Sequence, residues 1–230
     1  MQDQTITDVS CLVFKKNNIN MKNILFGAVA ILALVGFSVS HEGDMKTIEI
    51  GDKAPMAKKE MKAVDKQMHS LESLKEENGL LVVFSCNTCP FVVGRDGKSE
   101  GWEGHYNDLY VQSAKMGVGM VLINSNEAKR KGDDSMEAMQ MHAKKQGYKM
   151  PYVEDTNHEL ADAFGARTTP HVFLFDGKMK LAYKGAIDDN VDSAKDVKQN
   201  YLANAMAKMI KGEKADPAAT KPLGCSIKRQ

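Results

Sequence analysis

Charge of one sign is what this chain lacks most clearly: its 230 residues carry 31 Lys and Arg against 30 Asp and Glu, a net charge of +1. That balance gives no electrostatic footprint for a nucleic acid or an anionic membrane surface. Short basic runs such as Lys129-Arg130-Lys131 read as solvated surface. Cysteine is scarce as well. Cys11, Cys86, Cys89 and Cys225 are too few for a disulfide scaffold. Only one Cys-x-x-Cys element is present, and His105, His142, His158 and His171 are scattered, so four tetrahedral zinc ligands do not assemble from short spacings. No Gly-x-Gly-x-x-Gly and no phosphate-binding loop follows a strand-like run, which argues against a nucleotide-binding sheet. No internal repeat is visible. The sequence therefore calls for no cofactor and no metal.

What is present is ordinary for a soluble protein: 43% apolar and 27% charged residues, in a length that suits one globular domain plus extras. The N-terminus is the exception. Lys15, Lys16 and Lys22 precede an apolar run at 24–37, then Ser38-Val39-Ser40 and polar His41-Glu42-Gly43-Asp44. A positive start, a short apolar middle and a small-residue end describe a secretory signal. The run falls short of the ~20 residues that cross a bilayer, so an uncleaved membrane anchor is the weaker option. The polar stretch 1–20 is long for a leader, and Met21 is the more typical start, which would leave Cys11 outside the protein. The expected organisation is a leader and signal at 1–40, a domain at 41–212 and a tail at 213–230 that carries Cys225. The expected location is periplasmic or otherwise extracytoplasmic, where disulfides persist.

Beyond residue 46, strands and helices alternate. Residues 47–50 alternate apolar and polar and can start a strand. Short extended pieces at 61–70 and a helix at 71–77 follow. Leu80-Leu81-Val82-Val83-Phe84 is the unbroken apolar run of a strand buried on both faces, and 117–123 is a second. Helices are expected at 106–114, 133–146 with Gly147 as its stop, 157–164 with Gly165 as its stop, and 194–211. A short extended segment at 151–154 lies between two of them. His171-Val172-Phe173-Leu174-Phe175, Asp176-Gly177 and 178–183 form a hairpin. The order predicts an α/β fold, a three-layer α/β/α domain around a central mixed sheet. The antiparallel closing hairpin sets it apart from a wholly parallel sheet.

Cys86-Asn87-Thr88-Cys89-Pro90 carries the chemistry. A Cys-x-x-Cys that follows a buried strand and leads into a helix is a redox arrangement. Helix N-terminal N–H groups stabilise a thiolate, the form that attacks disulfides. Cys86 is expected at the helix start as nucleophile, and Cys89 one turn in as the resolving thiol. Thr169-Pro170, between a turn and a strand, is a candidate cis peptide bond.

These motifs resemble the thioredoxin superfamily. They are closer still to its peroxiredoxin-like redoxin branch, related to the alkyl hydroperoxide reductase/thiol-specific antioxidant family. The likeness rests on Gly51-Asp52-Lys53-Ala54-Pro55, the Cys86 motif, Ile123-Asn124-Ser125-Asn126, Thr169-Pro170-His171 with the strand after it, and Gly224-Cys225-Ser226-Ile227-Lys228. The resemblance implies a thioredoxin-like fold in which Thr169 meets the substrate backbone and Pro170 faces the cysteine pair. It implies a disulfide-bearing protein or small thiol as substrate and an external thiol as electron donor. A nucleic acid is not implied, and the export signal is the sole link to a membrane. Two departures matter. The Pro-x-x-x-Thr-x-x-Cys pattern of peroxiredoxins is missing at Cys86 and Cys89, and no acid lies in the strand 80–84. The uncharged Asn87 and Thr88 lean slightly towards a reductase.

The main reading is a thiol–disulfide oxidoreductase. A peroxiredoxin-like thiol peroxidase at Cys86 and a non-catalytic binding module are the alternatives. Cys225 is either a third redox cysteine or a small hydrophobe pinning the tail. The 15 methionines read as core filling.

Overall fold

The computed structural model describes residues 46–230; the expected leader, the export signal, Met21 and Cys11 lie outside the described residues. Two short strands, β1 (Met61–Lys62) and β2 (Met68–His69), pair antiparallel. Helix α1 (Leu71–Leu74) follows, with Ser70 and Ser73 exchanging side-chain-to-backbone bonds in a capping box. It stops short of the expected 77 because Glu76 and Gly79 exchange backbone hydrogen bonds in a tight turn.

The turn feeds β3 (Gly79–Ser85), every residue of which is buried. A single helical turn, α2 (Pro90–Val93), follows, then α3 (Tyr106–Lys115) and β4 (Val118–Asn124). Next come α4 (Met136–Gln146), capped by the Ser135 hydroxyl and ended by left-handed Gly147, and β5 (Tyr152–Glu154). After α5 (Glu159–Phe164) come the two residues of β6 (Thr168–Thr169), then β7 (His171–Asp176) and β8 (Leu181–Gly185). The chain ends with α6 (Tyr201–Ile210) and β9 (Cys225–Ser226).

The central sheet has the order β5-β4-β3-β7-β8. β3 runs parallel to β4 and antiparallel to β7, so the sheet is mixed. Alternation along β3 divides the core. Leu81 and Val83 face a cluster with Trp102, Tyr106, Met139 and Leu202, supplied by the side of α3, α4 and α6. Leu80, Val82 and Phe84 face Leu71, Leu160, Phe164 and Phe173 on the side of α1 and α5. Both faces being covered explains why β3 reads as one apolar run. The three-layer α/β/α fold stands as expected.

Local expectations differ at a few points. Residues 47–50 form no strand; the chain instead meets β8 through Gly51 N–H to Leu181 O (2.8 Å) and Leu181 N–H to Asp52 O (2.8 Å), leaving Ile50 42% exposed. The last helix starts at Tyr201 rather than 194, because the Asp189 carboxylate holds the N–H groups of Lys198 and Gln199 in a turn. The hairpin turn is wider than Asp-Gly: Asp176 Oδ1 accepts from both Lys178 N and Lys180 N.

The tail is ordered against the domain. Lys184 and Thr220 join through two backbone bonds, Thr220 N–H to Lys184 O and, one turn of chain earlier, Lys184 N–H to Ala218 O, Cys225–Ser226 pairs antiparallel with Thr168–Thr169, and Ile227 is buried. Among the described residues no helix is long and apolar enough to cross a membrane.

Candidate active site

β3 delivers the chain to Cys86 at the edge of the core, where Ser85 Oγ meets Tyr106 OH at 3.1 Å. The sequence predicts a helix from Cys86. The structure starts it at Pro90 instead, with Cys89 at the N-cap in an extended conformation (φ −69°, ψ 124°). Proline has no N–H to give to the carbonyl four residues back, and it disfavours helical backbone at the residue before it. Pro90 therefore belongs in the first turn, and the Cys86–Cys89 segment stays a loop. The expected thiolate donor changes with it: α2 is one turn long, and none of its N–H groups caps the Cys89 side chain.

Asn87 fixes the loop. Its N–H donates to Asp134 Oδ1 (3.0 Å), its Nδ2 donates to Asp133 O (2.8 Å), and its Oδ1 accepts from Tyr152 OH (2.9 Å). Asp134 is fully buried. Its oxygens accept also from Asn124 Nδ2 (2.7 Å) and Asn126 Nδ2 (3.0 Å). The acid absent from strand 80–84 is thus supplied by the loop ahead of α4. Sequence reasoning missed it, although Asn124 and Asn126 stood in a motif that was singled out.

The second wall is the Thr169-Pro170 loop, whose peptide bond is cis. Thr169 touches both sulfurs. Its Oγ1 lies 3.2 Å from Cys86 Sγ, and its carbonyl accepts from the Cys89 thiol at 2.9 Å. The third wall is the tail: Cys225 faces Thr169 in the β6–β9 pair, and its N–H donates to Cys89 Sγ at 3.4 Å. The five residues singled out from sequence, Cys86, Cys89, Thr169, Pro170 and Cys225, therefore lie together. All three cysteines are free thiols.

The sulfurs influence one another. The Cys89 pKa is lowered to about 5, first by its hydrogen bond with Cys86 and further by side-chain and backbone bonds from Cys225. Cys86 is raised by the same bond with Cys89, then by burial, with the Asp134 charge adding to the rise. Cys225 is pushed up to about 11 by burial and by Cys89. The three sulfurs titrate as one coupled group, in which hydrogen bonds between thiols favour a single shared thiolate. His171, beside Pro170, is lowered to about 3 by burial and stays neutral, accepting from Arg167 N at 3.3 Å. Among the described residues no group of three or more His, Cys, Asp or Glu is placed to hold a metal ion.

A family model described as Redoxin matches residues 49–200. A hypothetical protein from Sinorhizobium meliloti is 30% identical, with a TM-score of 0.70, over 80% of this chain and 97% of that one. An uncharacterized conserved protein from Geobacillus kaustophilus is 28% identical, also with a TM-score of 0.70, over 80% of this chain and 94% of that one. A peroxidoxin from Mycobacterium tuberculosis shares the fold at 16% identity and a TM-score of 0.51, over 72% of this chain and 97% of that one. No match was found among curated proteins. With its mixed sheet and clustered thiols, the chain belongs to the Redoxin family and is a thiol oxidoreductase of thioredoxin-like fold.

Proposed function

We propose that the protein is an extracytoplasmic thiol–disulfide oxidoreductase that cycles a Cys86–Cys89 dithiol. The observation that carries this reading is that one residue, Thr169, contacts both sulfurs, at 3.2 Å through its hydroxyl and 2.9 Å through its carbonyl. Sulfurs held that way are positioned to form a disulfide with little movement. One thiolate of the pair attacks a substrate disulfide and expels one substrate sulfur as a thiolate. The other cysteine of the pair then attacks the mixed disulfide, closing the Cys86–Cys89 bond and releasing the second substrate sulfur. An external thiol reopens the pair. The sequence assigns the first attack to Cys86 and the resolving step to Cys89; the hydrogen bonds that lower Cys89 offer that sulfur as the alternative. The uncharged Asn87 and Thr88 support the reductase direction. Export is supported by the charge and hydropathy pattern of residues 15–44.

The test is turnover of a model disulfide by the full chain with dithiothreitol as donor. Loss of turnover in both Cys86→Ser and Cys89→Ser supports the reading. Full activity in either variant contradicts it. Consumption of hydrogen peroxide by Cys89→Ser would move the assignment to a thiol peroxidase at Cys86. N-terminal sequencing of the mature chain checks export, with a start near His41 expected.

A further inference from the structure

The dithiol reading leaves access to be explained. Cys86 is 2% exposed and Cys89 4%, so the pair offers little surface to a small external thiol. Cys225 is only partly buried and touches Cys89 through its own N–H. We propose that Cys225 is a third redox cysteine, which takes the disulfide from the buried pair by exchange with Cys89 and presents it to small thiols at the surface. This rests on the Cys86–Cys89 dithiol reading and extends it.

Three features place the tail for that task. The β6–β9 pair sets Cys225 opposite Thr169, the residue that holds both sulfurs. Gly224 permits the close approach, since a Cβ there would lie 2.3 Å from Thr169 O. Beyond Cys225 the tail is anchored by Ile227 N–H to Arg167 O (3.0 Å) and Lys228 N–H to Asn126 Oδ1 (2.8 Å).

The exchange balances within the protein. In the oxidised pair the Cys225 thiolate attacks the Cys89 sulfur. The Cys89–Cys225 bond forms, the Cys86–Cys89 bond breaks, and Cys86 leaves as a thiolate and takes up a proton. A small external thiolate then attacks the Cys225 sulfur and releases Cys89. A second external thiol frees Cys225 and leaves as the oxidised external disulfide. The direction of the first step has a built-in control. Burial and the neighbouring Cys89 keep Cys225 protonated in the reduced protein, while Lys228 and Arg95 favour its thiolate. Oxidation removes the Cys89 charge and with it part of that restraint.

The experiment has two arms, both on the full chain. First, Cys86→Ser is treated with oxidised glutathione and its disulfides are mapped by peptide mass spectrometry. A Cys89–Cys225 disulfide is expected; a stable glutathione adduct on Cys89 with Cys225 free overturns the proposal. Second, reduction of the oxidised protein by glutathione is timed. Cys225→Ser is expected to slow it by about tenfold or more, because the exposed entry thiol is gone. Gly224→Ala, which keeps Cys225 but displaces it from Thr169, is expected to slow it likewise. Unchanged rates in both variants overturn the relay while leaving the dithiol intact. Absence of a Cys86–Cys89 disulfide in the unaltered protein removes the dithiol reading itself, and the relay with it.

Discussion

Asn126 accepts the backbone N–H of Lys228 at 2.8 Å while donating its amide to Asp134 Oδ2 at 3.0 Å. Asp134 in turn holds Asn87 N, so the cysteine loop and the tail hang on one buried carboxylate. This joins the Asn124-Ser125-Asn126 and Gly224-Cys225-Ser226-Ile227-Lys228 motifs physically. Asn126→Ala deletes both links. A loss of about 2 kcal/mol is expected in urea denaturation, on the scale of a buried polar group left unpaired. Hydrogen exchange at the Lys228 amide is expected to speed up more than exchange in β3. Unchanged protection at Lys228 contradicts the link.

Asp134→Ala leaves the Asn87 N–H and the amides of Asn124 and Asn126 without their acceptor. A destabilisation of roughly 3 kcal/mol follows from such unmade buried bonds. Asp134→Asn keeps the shape and removes the charge that raises Cys86. Its expected signature is a lower Cys86 pKa, read from alkylation against pH in a Cys89→Ser background.

Cys89 titrates at about 5 because the Cys86 thiol and the Cys225 groups donate to it. Thiolate absorbance in the ultraviolet is expected to rise through that pH, and Cys86→Ser is expected to change the midpoint. A lowered folded-state pKa contributes stability that is fully present above the unfolded value and is lost as pH falls through the folded one. For Cys89 that window runs from the ordinary thiol value of 9.0 down to about 5.

His171 acts in the same sense at lower pH. Burial lowers it from 6.5 to about 3, so on acidification the unfolded chain takes up this proton before the folded one does. Stability is expected to fall as pH drops through that interval. His171→Gln is expected to flatten the pH dependence of the urea midpoint there, and an unchanged slope contradicts the assignment.

Much of the fold was legible because local pattern and tertiary position agree. The apolar run 80–84 is β3, covered on both faces. Ser135, Gly147 and Gly165 end their helices where their chemistry suggests. The cysteine loop was misread at the point where one residue overrules a pattern: Pro90 delays the helix and moves Cys89 to its cap. The strand at 47–50 failed because alternation does not by itself supply a partner, and Ile50 faces solvent. Asp134 was invisible because its tie to Asn87 spans 47 residues and depends on tertiary placement. The Thr169–Cys225 pairing was equally hidden, since strands of two residues carry no period.

The most direct test of the central claim is the equilibrium between the full chain and glutathione or dithiothreitol buffers, with the Cys86–Cys89 bond quantified by mass spectrometry. A reversible two-electron transition is predicted, with a reduction potential on the thioredoxin side, about −270 mV, rather than the about −120 mV of a strong oxidant. A pair that remains two free thiols at every buffer ratio contradicts the account.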